Sequence, residues 1–234
     1  MYALVADCVS KTFGRRRVLQ SASLRARPGE VRAILGRNGE GKSTLLKIAV
    51  GLLQPDAGIV HMGDTAYLRA SLPTLAARGL FYLPDHDLLT PVYSLARQLA
   101  FFARRFGARS VHDAAQAARV EHLLDRRPSS FSGGELRRSE LALALARKPT
   151  VLIADEPYRG IAPADHDLLT EIFRLIAADG CAVVITGHEV PSLLAAADHI
   201  TWSTNGTTYD LGAPAQACEQ ESFRRAYLEP KFMT

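Results

Sequence analysis

Eight consecutive residues constrain this chain more than any others: Gly36-Arg37-Asn38-Gly39-Glu40-Gly41-Lys42-Ser43. They follow a short apolar run, 31–35, and precede a stretch, 43–53, in which Leu45, Leu46, Ile48, Ala49 and Leu52 fall on or near one helical side. Strand, glycine-bearing loop and helix in that order make a phosphate cradle. The glycines let the backbone curl so that successive N–H groups converge on phosphate oxygens, and the helix behind adds the positive end of its dipole. For a nucleoside triphosphate, Lys42 is the expected partner of the β- and γ-phosphates, Ser43 that of Mg²⁺ and Thr44 that of the α-phosphate.

Three further pieces fit the same chemistry. Val151-Leu152-Ile153-Ala154 reads as a buried strand that delivers Asp155 and Glu156 at its carboxyl end, where α/β sheets bind ligands. Adjacent carboxylates repel, and a bound cation offsets that repulsion. Asp155 is therefore the candidate Mg²⁺ ligand and Glu156 the candidate group for polarising an attacking water. Upstream, Phe131-Ser132-Gly133-Gly134-Glu135 opens a helix that runs to 147. Ser132 and Glu135 form a capping box, which by itself accounts for an ordinary helix start. The free amides of such a start are also an anion site. A γ-phosphate already cradled by one loop leaves little room for this second site from the same chain. The economical reading gives Ser132, Gly133, Gly134 and Glu135 to a neighbour's nucleotide, with ATP sandwiched in a dimer. His188, just beyond the apolar stretch 182–186, is the candidate contact to the γ-phosphate. It belongs to no zinc motif, because no second histidine stands at the needed spacing.

Strands alternating with helices after residue 31 predict an α/β fold with a largely parallel sheet. Period-two patterns over 2–9 and 18–27 predict strands ahead of it, with turns at Phe13-Gly14 and Pro28-Gly29. Short strands and a connecting stretch are expected over 59–83, helix over 92–127, 165–178 and 191–197, and short strands with a last helix after Trp202. The expected organisation is one domain, 1–234, made of the phosphate-binding core, an N-terminal antiparallel β part and a helical insertion over roughly 85–147. No apolar stretch approaches the roughly 18 residues of a membrane span, and the N-terminus does not read as a secretory signal. The chain is expected in the cytoplasm, reaching a membrane only through a partner. Its net charge of +4 is spread over scattered arginine pairs without interleaved aromatics, so no nucleic-acid partner is expected. Three scattered cysteines, Cys8, Cys181 and Cys218, suggest neither disulfides nor a metal site, and are read as buried or inert thiols.

Phosphate loop, Ser-Gly-Gly-Glu helix start, acid pair and histidine, in this order, resemble the ABC ATPase family across roughly residues 4–228. The resemblance implies a P-loop ATPase that hydrolyses ATP with Mg²⁺, pairs with a second ABC ATPase subunit as homodimer or heterodimer, and drives transport through a separate transmembrane permease from the inner face of the membrane. It places Phe13 against the adenine, Leu83-Pro84-Asp85 in the family's glutamine loop, and Tyr158 to Ala164 in the loop that contacts the opposite subunit. Ser-Gly-Gly-Glu followed by Arg137-Arg138 is similar to the branched-chain amino-acid and lipopolysaccharide-export ATPases. Four departures from the family pattern stand out: Asp85 replaces the glutamine, Phe131 a leucine and Ala162 an aspartate, and the pair Arg37 and Glu40 occupies variable positions of the phosphate loop. A carboxylate at 85 can still bind Mg²⁺, although it cannot donate a hydrogen bond. The second reading is a soluble ABC ATPase acting as a switch or assembly scaffold, of the iron–sulfur biogenesis type. A DNA-repair member needs a long coiled coil between phosphate loop and helix start, for which this chain has no space.

Overall fold

The computed structural model describes residues 1–106 and 109–228. The elements are β1 (Leu4–Phe13), β2 (Arg16–Ala26), β3 (Val31–Leu35), α1 (Lys42–Ala49), β4 (Ala57–Met62), β5 (Thr65–Tyr67), α2 (Leu72–Ala77) and β6 (Leu80–Leu83). They continue with α3 (Leu95–Phe106), α4 (Val111–Ala117), α5 (Gly133–Arg147), β7 (Val151–Ala154), α6 (Pro163–Ala178), β8 (Ala182–Gly187) and α7 (Val190–Ala196). β9 (His199–Thr204), β10 (Thr207–Gly212), α8 (Pro214–Glu219) and α9 (Glu221–Tyr227) follow.

The strands lie in the order β5-β4-β1-β2-β10-β9-β3-β8-β7-β6. β9, β3, β8, β7 and β6 run parallel, whereas β5, β4, β1 and β2 are antiparallel, and the two limbs meet through the single pair Thr207 and Ser21. The parallel limb is covered on both faces. From β3, β8 and β7, Ala33, Leu35, Val183, Ile185, Leu152 and Ala154 enter the core shared with α5, α6 and α7. Ile34, Val184, Val151 and Ile153 enter the other core, which holds Leu45, Leu46 and Ile48 of α1 together with Leu4, Leu19 and Leu24 of the antiparallel limb. Burial on both sides makes such strands continuous apolar runs without a period of two.

Several boundaries differ from the sequence expectation. α1 stops at Ala49 instead of 53, because Gly51 takes φ 76° and turns the chain where an added Cβ would meet Ser71 backbone at 2.6 Å. The stretch expected as short strands also contains α2, capped by Ser71, whose side chain accepts from Thr74 N–H. The helical stretch 92–127 resolves into α3 and α4 plus a 3₁₀ turn, Glu121–Leu123, with 107–108 outside the described residues. Of the cysteines, Cys181 is buried, with its thiol pushed up to about 12 by desolvation, Cys218 is half-buried and Cys8 is exposed.

One buried ion pair fixes the segment after β6. Glu140 of α5 is 1% exposed, lies 2.9 Å from Arg137, and accepts Leu88 N–H at 2.6 Å. Arg137 donates to Pro84 O at 3.0 Å. Burial raises the Glu140 pKa, and Arg137 counters that pull. Removing one member of such a pair leaves an uncompensated buried charge. Glu140→Ala is therefore expected to lower the unfolding free energy by about 3 kcal/mol, measured by denaturant titration.

Candidate active site

Four parallel strands end at the same edge of the sheet, β6 and β7 two residues short of β3 and β8. Leu35 lies opposite Gly187, Ile185 opposite Ala154 and Ala154 opposite Leu83. The residues that follow these strands, Gly36, His188, Asp155 and Pro84, therefore leave the sheet at one edge, the carboxyl edge where such folds bind ligands.

The loop between β3 and α1 is built for close approach. Gly41 has φ 90°, and a Cβ there would sit 2.6 Å from Leu19 Cδ2. At Gly36 a Cβ would come 2.7 Å from Ser203 O. The loop closes on Lys42, whose ammonium donates to Gly36 O at 2.7 Å and Arg37 O at 3.2 Å. Burial lowers the Lys42 pKa, while Glu156, Asp155 and Glu40 oppose that shift. The cation thus sits in a partly dry place beside two acids of the opposite strand tip.

Asp155 is 1% exposed and is held by two hydroxyls: Thr186 Oγ1 donates to its Oδ1 at 2.7 Å and Ser43 Oγ donates to the same oxygen at 3.2 Å. Its backbone N–H donates to Leu83 O at 2.9 Å. Glu156 adopts φ 49°, a left-handed conformation that costs a non-glycine residue on the order of 1 kcal/mol. Its N–H donates to Thr186 Oγ1 at 3.0 Å, so one threonine serves both acids. His188 Nδ1 lies 3.6 Å from Glu156 Oε1, and Arg159 Nη1 3.8 Å from Glu156 Oε2.

Above these groups opens a cleft of about 570 Å³. Of the residues singled out from the sequence, Phe13, Asn38, Gly39, Gly41, Lys42, Ser43, Thr44, Asp85, Glu156 and His188 line it. Arg37 and Glu40 instead line a separate hollow with Trp202 and Tyr227, and the Glu40 carboxylate accepts Asn205 N–H. Asp85 is paired with His86 at 3.2 Å and Arg159 at 4.0 Å. Ser132 to Glu135 are not among the lining residues. They form the capping box at the start of α5: Ser132 Oγ accepts Glu135 N–H at 3.2 Å, and Glu135 Oε2 accepts Ser132 N–H at 2.8 Å, which holds the Glu135 carboxyl below its usual pKa. Sequence reasoning passed over Thr186, and took Arg159 only as part of the 158–164 loop assigned by resemblance to the opposite subunit, whereas it lines this chain's own cleft. The signal for Thr186 was a lone hydroxyl at the carboxyl end of the apolar run Ala182-Val183-Val184-Ile185.

A parallel sheet that carries a lysine-bearing phosphate loop after β3 and an acid pair after β7, with β8 between them, defines a P-loop ATPase. More specifically, this chain belongs to the ABC transporter family, whose model matches residues 19–159. It is 31% identical to the lipopolysaccharide export system ATP-binding protein LptB of Escherichia coli K12, with 99% of both chains covered. It is 35% identical to the zinc import ATP-binding protein ZnuC of Halorhodospira halophila, over 94% of this chain and 80% of the relative. The fold is similar to that of the ADP conformation of MJ1267, an ATP-binding cassette of an ABC transporter, with TM-score 0.86 and 21% identity over 98% of this chain and 100% of the other. As a member of this family, the chain is an ATP-hydrolysing subunit that drives transport with membrane permease subunits and a second cassette. That decides between the transport-coupled and scaffold readings of the sequence.

Thr186→Val removes the hydroxyl shared by Asp155 and Glu156 at nearly constant volume. The expected result is a loss of stability of about 2 kcal/mol and a fall in ATP turnover of about tenfold, from denaturant titration and phosphate-release assays.

Proposed function

We propose that ATP binds in the cleft with adenine against Phe13 and its phosphates in the loop from Gly36 to Thr44, where the backbone amides and Lys42 hold them. The observation that carries this reading is the Ser43–Asp155–Thr186 hydrogen-bond set, which brings the phosphate loop to the acid pair. A hydroxyl and a carboxylate are hard oxygen donors of the kind Mg²⁺ takes, so Ser43 and Asp155 would hold it. When bound, the cation neutralises charge on the β- and γ-phosphates. Asp85, the third oxygen ligand expected from the sequence, is left out of this set because its carboxylate faces Arg159 and His86.

Glu156 orients the attacking water, and His188 beside it fixes the geometry at the γ-phosphate. The work of these residues is positioning and charge stabilisation. Ser132, Gly133, Gly134 and Glu135 of a second cassette close over the same triphosphate, with the amides of the α5 start as donors. Hydrolysis then places separated charges between the subunits and reopens them.

In this reading 1–234 acts as one domain, and the helical insertion over roughly 85–147 meets the permease at the cytoplasmic face of the membrane. A groove lined by Tyr93, Arg97, Gln98, Phe101 and Phe102 supports this placement, with Phe101 66% exposed.

Glu156→Gln is expected to cut turnover about a hundredfold or more while ATP affinity stays within about threefold. In light scattering, the same variant should become dimeric on adding ATP. Full turnover by Glu156→Gln, or a monomer at saturating ATP, would overturn the reading. Lys42→Ala is expected to weaken ATP binding about tenfold or more, as read by equilibrium nucleotide binding.

A further inference from the structure

The glutamine that the family keeps after β6 is Asp85 here, and three residues beyond Glu156 stands Arg159. The fold brings the two together. Arg159 Nη1 lies 4.0 Å from Asp85 Oδ2 and 3.8 Å from Glu156 Oε2, and His188 Nδ1 lies 3.6 Å from the other Glu156 oxygen. All four residues line the same cleft. Along its wall Glu156 thus stands between His188 and Arg159, and Arg159 between Glu156 and Asp85. The backbone is held on both sides of the Asp85–Arg159 contact, although the side chains themselves are 45% and 63% exposed. The Asp85 loop is pinned by the buried Arg137–Glu140 pair through Pro84 O and Leu88 N–H. The Arg159 turn is closed by its own N–H donating to Glu156 O at 3.1 Å.

Taking Glu156 as the group that orients water, we propose that Arg159 is a positioning residue for Glu156 and that Asp85 is the counter-ion that makes this possible. Arg159 and His188 each face one Glu156 oxygen, which fixes the rotation of the carboxylate. With no second anion in reach, the guanidinium fork would settle wholly on Glu156, and that carboxylate would lose its hold on a water. Asp85 shares the guanidinium and keeps Glu156 partly free. With Arg159 gone, Asp85 and Glu156 lose the cation that stands between them and repel each other as like charges. In open water pairs as exposed as these are weak, but closure over nucleotide removes the water and strengthens every term. The consequence runs against family resemblance: restoring the glutamine at 85 damages this chain.

The test is a double-mutant cycle on the full chain, with ATP turnover as readout. Asp85→Gln and Arg159→Ala are each expected to lower kcat about tenfold with KM for ATP within about twofold, and the double variant to be no slower than the poorer single. Arg159→Lys, which keeps the charge, recovers part of what Arg159→Ala loses. Asp85→Asn serves as a second, isosteric removal of the anion with the same expectation as Asp85→Gln. The proposal is overturned if Asp85→Gln matches or exceeds the parent, or if the losses of the two single variants simply multiply in the double. Glu156→Gln separates this outcome from failure of the site reading. If it abolishes turnover while the cycle is additive, only the role of Arg159 and Asp85 falls; if it leaves turnover intact, the site assignment itself falls.

Discussion

A buried carboxylate needs partners, and the architecture around Asp155 follows from supplying them. An ionised group taken out of water is tolerated only when hydrogen bonds replace its hydration. Asp155 finds those donors on two other elements, Ser43 at the start of α1 and Thr186 near the end of β8. The arrangement fixes three elements against one another: the tip of β7 must reach Thr186 of β8, and the start of α1 must reach the same carboxylate. α1 in turn carries Leu45, Leu46 and Ile48 into the core between the two limbs of the sheet. The same contacts that satisfy one charge therefore also locate the phosphate loop.

The helical part is tied to this edge by a different buried charge. Arg137 and Glu140 of α5 hold the loop after β6 by its backbone, at Pro84 O and Leu88 N–H. α5 opens with the Ser132–Glu135 capping box, so one helix runs from the candidate contact to a second subunit back to the loop that carries Asp85. Buried ion pairs contribute little net stability compared with apolar packing. Here the pair gives direction, because it fixes where a loop stands.

Much of this was legible in the chain. The phosphate loop, the acid pair, the helix start at Ser132 and the strands 31–35, 151–154 and 182–186 each carry a local signal: glycine spacing, a capping box, or an apolar run ending in a polar tip. α2 was missed because its six residues, Leu72–Ala77, are too few for helical periodicity to emerge, and its Ser71 cap has no acidic partner. The left-handed φ of Glu156 was also unreadable, since glutamate has no preference for it and only the surrounding contacts impose it.

The sequence by itself determined the chemistry available: a lysine and glycines for phosphate, paired acids at a strand tip, and a histidine after a third strand. These are local facts, set by residue type and by separations of a few positions. Only the tertiary structure decided which groups meet. Asp155 and Thr186 are 31 residues apart, and Ser43 and Asp155 are 112 apart. Their meeting depends on strand order and register, which follow from packing two apolar faces at once. The turning of Arg37 and Glu40 away from the cleft, and the placing of Arg159 between Asp85 and Glu156, were decided in the same way. Side-chain direction at a loop is set by the walls around it, and the walls come from distant parts of the chain.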